Sequence, residues 1–138
     1  MAKEIIHVKL GIKPFSANKM HYMSKKKDTR EYKEFKGTIQ ELLGGENYRI
    51  KKHVQLKLTL VTGFSNKASD LDNAFKPLLD AMQLAMNFDD KQVYEINAYK
   101  DVVPRGQEYL YIRLEQIQPA GILRKIGKLM EKLTNGYK

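Results

Sequence analysis

The sequence predicts an α+β fold of α/β-like character, a mixed sheet in β-α-β-α-β-β order with helices packed on it and one more helix at the C-terminus. Three observations predict it. Residues 4–10, 51–62, 93–100 and 108–115 alternate apolar with polar side chains, the period of two that a half-buried strand requires. Two intervening segments carry apolar residues at helical spacing. Gly, Pro, Ser and Asn gather between these segments, where turns are needed.

In the first strand Ile6, Val8 and Leu10 share a face opposite Ile5, His7 and Lys9. Residues 11–18, Gly-Ile-Lys-Pro-Phe-Ser-Ala-Asn, form a loop that runs on into a lysine-rich stretch with Tyr22 inside it. Asp28 is expected to cap the first helix, with Glu31 three residues on completing a capping box. Tyr32, Phe35, Ile39 and Leu42 face the core, and Gly44-Gly45 ends the helix. Val54, Leu56, Leu58 and Leu60 mark the second strand.

The second helix presents Leu71, Phe75, Leu78, Leu79, Met82 and Met86 on one face, with the methionines as core filler. Pro77 lacks an N–H and belongs in a first helical turn, so the helix begins near Asn73 or Ala74 and leaves 70–72 extended. Residues 87–91 turn the chain into the third strand, with Tyr94, Ile96 and Ala98 on one face. The short turn at 103–106 makes the last two strands antiparallel, with Leu110, Ile112 and Leu114 opposite Tyr109, Tyr111 and Arg113. Helical crossovers favour parallel pairing among the first three strands. Residues 1–118 therefore read as one domain. Residues 119–138 form an appended basic amphipathic helix with Ile122, Leu123, Ile126, Leu129, Met130 and Leu133 on its apolar stripe. Packing on the body or on a partner subunit is its expected fate; a DNA-gripping arm and a membrane-surface element are the alternatives.

The 138-residue chain has a formal net charge of +9, which suggests a polyanionic partner, most often nucleic acid. It has no cysteine, which excludes disulfides, thiolate metal sites and thiol nucleophiles and fits a cytoplasmic location. No apolar run reaches the ~20 residues that span a membrane, and the first thirteen or so residues do not read as a secretory signal. His7, His21 and His53 match no paired-ligand spacing.

Against this basic background stands Asp70-Leu71-Asp72-Asn73, with Lys76 beyond it and Asp89-Asp90 further on. Carboxylates repel one another and are costly to gather unless a cation neutralises them. In an extended segment Asp70 and Asp72 point the same way. The turn before the third strand is expected to bring Asp90, or Asp89, to the same end of the sheet, giving a few carboxylates of the kind Mg²⁺ prefers. Lys76 follows Asp72 by one helical turn, placed to meet a phosphate. A calcium-binding EF-hand loop starting at Asp70 is excluded, because Ala74 and Phe75 stand where an acid or amide and a glycine are required. Taken alone, each acidic pair also fits a helix cap or a turn, and at this level both readings stay open.

In combination, Asp70-Leu-Asp-Asn with Lys76 and Asp80, then Asp89-Asp90-Lys-Gln-Val, resembles the signature of the RusA family of Holliday junction resolvases. Pro14-Phe15-Ser16-Ala-Asn18 resembles that family's Pro-Pro-Ser-x-Asn loop, with Phe15 in place of the second proline. Pro77 directly after the lysine is a second departure. The resemblance covers residues 5–114. It implies a small homodimeric Mg²⁺-dependent endonuclease, common in phages and prophages, that resolves four-way DNA junctions by paired symmetric nicks during recombination and repair. By position it implies Asp70, Asp72 and Asp90 as metal ligands and catalytic residues, and Lys76 as the essential lysine. Lys13, Asn18, Lys19, Lys25, Lys26, Lys27 and Lys67 are the expected DNA-gripping residues. No small-molecule cofactor and no membrane partner is expected. A non-catalytic nucleic-acid-binding module of the same fold is the alternative.

Overall fold

The structure is a computed structural model and describes residues 3–21 and 27–135. The alternating segments become β1 (Lys3–Leu10), β2 (Gln55–Phe64), β3 (Val93–Val102) and β4 (Tyr109–Ile117). The helical segments become α1 (Arg30–Leu43), α2 (Phe75–Met86) and α3 (Pro119–Asn135). The core forms where Leu56, Leu58 and Leu60 of β2 and Leu110, Ile112 and Leu114 of β4 meet Ile39 and Leu43 of α1 and Leu78, Met82 and Met86 of α2. Leu43 takes the core position expected for Leu42, which is half exposed.

Strand order is β1-β4-β2-β3. β4 lies antiparallel between β1 and β2, while β2 and β3 pair in parallel. The first three strands therefore run the same way, as the crossovers require. The last two are not neighbours, in contrast to the hairpin expected of them: β2 separates them. The reason is burial. The helix-facing side of β4 is wholly apolar and at most 1% exposed, which suits a central position. Tyr94, Ile96, Tyr99 and Val102 of β3 are 40–59% exposed, as an edge strand allows. The β3–β4 connection thus crosses the end of β2, where the Val103 N–H donates to the Phe64 carbonyl at 2.8 Å. Gly63 is needed beneath it, because a Cβ there would lie 2.3 Å from the Tyr109 ring.

Two local expectations are corrected. Thr29, not Asp28, caps α1: its backbone is extended and its hydroxyl accepts from the Tyr32 N–H at 3.2 Å. Asp28 instead pairs with Lys36. The segment 70–72 is not extended, because Leu71 is already right-handed helical and Asp72–Ala74 makes a 3₁₀ turn leading into α2. Pro77 does fall in the first turn of α2. Among the described residues α3 is tied to the body by Lys125, whose ammonium meets Glu95 at 2.9 Å, and Leu123, Ile126, Leu129, Met130 and Leu133 are left 50–70% exposed. No helix among the described residues is long and apolar enough to cross a membrane.

Candidate active site

The strand end that carries Asp70 is built by long-range contacts. The Lys100 ammonium, on β3, donates to the carbonyls of Lys67 and Ser69, at 2.5 and 2.6 Å, and so fixes the loop that delivers Asp70. Glu108, at the start of β4, is buried and accepts from the Ser65 hydroxyl at 3.0 Å and the Gly106 N–H at 2.7 Å. Lys13 approaches the same carboxylate at 4.0 Å. Hydrogen bonds from its own backbone N–H first, then from Ser65 and Gly106, hold the Glu108 carboxyl below the usual carboxylate range, against the cost of desolvation. Neither Lys100 nor Glu108 stood out in the sequence, since the loop carbonyls that Lys100 holds and the Ser65 hydroxyl that Glu108 accepts from are distant in the chain.

Opposite this loop lies Pro14-Phe15-Ser16-Ala17-Asn18. Ser16 caps a 3₁₀ turn over Ala17–Lys19, its hydroxyl accepting from the Asn18 N–H at 3.2 Å. Phe15 stacks on Tyr32 and Phe35 of α1, with ring centroids 5.6 and 5.3 Å apart, which explains how an aromatic replaces a proline there. Between the two loops is a cavity of about 460 Å³ lined by Lys13, Ser16, Asn18, Lys19, Asp70 and Asn73 among others. Asn73 Nδ2 donates to Asp70 Oδ2 at 3.3 Å. Of the expected DNA-gripping residues, Lys13, Asn18 and Lys19 line this cavity. Lys27 and Lys67 are exposed nearby in the chain, and Lys25 and Lys26 lie outside the described residues.

Lys76 stands in the first turn of α2, and its ammonium donates to Asp80 Oδ1 at 2.8 Å. That hydrogen bond, with the added attraction of the Asp80 and Asp90 charges, raises its pKa above the ordinary lysine value despite some desolvation. Asp89 caps a 3₁₀ turn over Asp90–Gln92 in a full capping box with Gln92. The Asp90 N–H donates to Gln83 Oε1 at 2.9 Å, which holds Asp90 against the far end of α2.

The acidic residues do not converge within one chain. β2 and β3 are parallel, so the chain leaves the sheet beyond Phe64 and returns at Val93, at the opposite end. Asp70 and Asp72 lie before α2 and Asp90 after it, and a helix of 12 residues is ~18 Å long. The expectation that the turn before β3 brings Asp90 to the Asp70 end is thereby corrected. Among the described residues no three His, Asp or Glu side chains are grouped closely enough to hold a metal ion. Within the described residues of one chain, Asp70, Asp72 and Asp90 are therefore not brought together as one ligand set.

The model of the endodeoxyribonuclease RusA family matches residues 12–115, which takes in both acidic motifs, Lys76 and the Pro14–Asn18 loop and leaves out all of β1 and all of α3. No curated protein sequence matches the chain.

Proposed function

The chain belongs to the RusA family of Holliday junction-resolving endodeoxyribonucleases, and from that premise we propose that it works as a homodimer, requires Mg²⁺ and cuts four-way DNA by paired symmetric nicks. The observation that carries the dimer into the chemistry is the separation of Asp70 and Asp72 from Asp90 across the length of α2. α2 is pinned in the core by Leu78, Met82 and Met86, so Asp90 stays tied to its Gln83 end while Asp70 and Asp72 precede its first turn. A second copy unites the two ends. A two-fold axis beside α2 and perpendicular to it sets two such helices antiparallel, and each acidic turn then faces the partner subunit's Asp90.

In this reading Asp70 and Asp72 of one subunit and the partner subunit's Asp90 hold the dication, oxygen ligands of the kind Mg²⁺ takes. The two-fold axis gives two equal sites, and with them two equivalent cuts in a junction that is itself pseudo-symmetric. Lys76 offsets charge that builds on the scissile phosphate. Lys13, Asn18 and Lys19, with Lys25, Lys26, Lys27 and Lys67, grip the backbone without reading bases, as recognition of junction shape requires. The uncovered apolar stripe of α3 supports association with another surface.

The test is a synthetic four-way junction with each strand labelled in turn. The expected result is a pair of symmetrically placed nicks in two strands of like polarity, dependent on Mg²⁺ and absent from linear duplex. Tight junction binding with no cutting in Mg²⁺ or Mn²⁺ would instead identify a non-catalytic binding module, the reading that separated carboxylates favour if no dimer forms.

A further inference from the structure

The solvent side of α2 carries an arrangement that neither the acidic turn nor the basic loop explains. Asp80 uses both carboxylate oxygens. Oδ1 accepts from the Lys76 ammonium at 2.8 Å, and Oδ2 accepts from the Tyr32 hydroxyl at 2.9 Å. Tyr32 comes from α1 and is 2% exposed. Its ring is fixed on all sides. Phe15 stacks on it at 5.6 Å, the Lys36 ammonium sits 4.4 Å from the ring centroid, and its N–H is held by the Thr29 cap. His21, Asp28, Lys36, Gln83 and Leu84 complete the surface depression around the Tyr32–Asp80 contact.

Helix stability does not account for Lys76–Asp80. In an i,i+4 pair the acid-first order is the more stabilising, and here the base comes first. Exposed pairs of this kind contribute little in any case. A buried tyrosine hydroxyl needs an acceptor, but a backbone carbonyl serves without drawing a carboxylate towards the core, and the Asp80 side chain is only 24% exposed. What the arrangement does accomplish is to remove freedom. A lysine is a point charge on a four-carbon stem, and a single flexible carboxylate does not aim it. A carboxylate whose second oxygen is locked by a buried, stacked tyrosine does.

Resting on the assignment of Lys76 made above, we propose that Tyr32 and Asp80 are positioning residues for Lys76. Through Phe15 they also tie the aim of that ammonium to the Pro14–Asn18 loop that lines the Asp70 cavity. Tyr32 bridges the two: its ring face belongs to the loop and its hydroxyl to α2. When the loop settles on DNA, the lysine is already held in one direction.

The experiment compares wild type, Tyr32→Phe, Asp80→Asn, Asp80→Glu, Lys76→Ala and the double variant Lys76→Ala/Asp80→Asn on a four-way junction. Junction affinity is measured separately without divalent ion. Tyr32→Phe keeps the ring and removes only the hydroxyl. Tyr32→Phe and Asp80→Asn should each lower turnover at saturating junction about 10- to 100-fold, the range that small misplacements cost. KM and metal-free affinity should change by less than about 2-fold, and Asp80→Glu should recover part of the loss. The double variant should be no slower than Lys76→Ala alone, because removing the aim of an absent lysine costs nothing further. Unchanged turnover in Tyr32→Phe and Asp80→Asn beside an active wild type, with only a lower melting temperature, would show that the contact merely joins α1 to α2. Additive losses in the double variant would overturn the proposal equally. A wild type that does not cut would remove the functional assignment itself, and this proposal with it.

Discussion

Asp70 and Asp90 sit at opposite ends of α2, although both belong to the acidic signature of the chain. Parallel pairing fixes the relationship: Leu56 lies opposite Val93 and Phe64 opposite Val102, so the crossover between β2 and β3 must travel back the full length of the sheet. A parallel pair cannot be joined any other way. The consequence is functional. If the acids act together, the surface that joins two subunits and the centre that cuts DNA are the same place.

Asp72→Asn should retain junction binding within about 2-fold and lose cleavage by more than the roughly 10- to 100-fold that loss of an outer-shell metal partner costs. The amide is a poorer ligand for a hard dication and keeps the size of the acid. Gel-shift and cleavage assays on one junction measure both. Normal nicking by this variant in Mg²⁺ would remove Asp72 from the site.

Lys19→Ala should weaken junction binding equally across junction sequences. It should also reduce the slope of log affinity against log salt by about 0.9, the value for one lost phosphate contact on duplex DNA. Binding isotherms between low and moderate salt give the slope directly. An unchanged slope would place Lys19 outside the grip.

How much of this was legible in the sequence varies by residue. The alternation of Leu56, Leu58 and Leu60, and of Leu110, Ile112 and Leu114, is a local pattern, and it specified the strands and their buried faces. The position of β4 between β1 and β2 is not local. It follows from how much apolar surface each strand has to cover, which emerges only when all four are compared. The cap of α1 passed from Asp28 to Thr29 because Lys36, eight residues on, offers Asp28 a stronger partner than an amide. The turn at Leu71 was hidden by Pro77, whose effect reaches only one turn back and does not forbid a 3₁₀ start. Lys100 and Glu108 left no trace in the sequence, because their partners are backbone groups and a serine brought near only by the fold.

Glu108→Gln should destabilise the protein at neutral pH and cease to matter in acid. The folded-state pKa of Glu108 lies below its ordinary value, so its stabilising contribution is complete above about pH 4.3 and is lost as pH falls through the folded pKa. Urea midpoints of wild type and variant should therefore converge as pH drops below the carboxylate range. A gap of constant size from neutral to acid would show that the charge of Glu108 contributes nothing.

The most direct measurement of the central claim mixes two inactive subunits. Asp70→Asn and Asp90→Asn homodimers are each expected to be dead. After the two are unfolded together and reassembled, a mixed dimer has one site that combines intact Asp70 and Asp72 with the partner subunit's intact Asp90. The account predicts that junction nicking returns, in one strand per junction, and that Mn²⁺ binding returns with it at one ion-binding locus per mixed dimer. Mixed dimers that form but neither bind Mn²⁺ nor nick would contradict it, since that result leaves no site built across the two subunits.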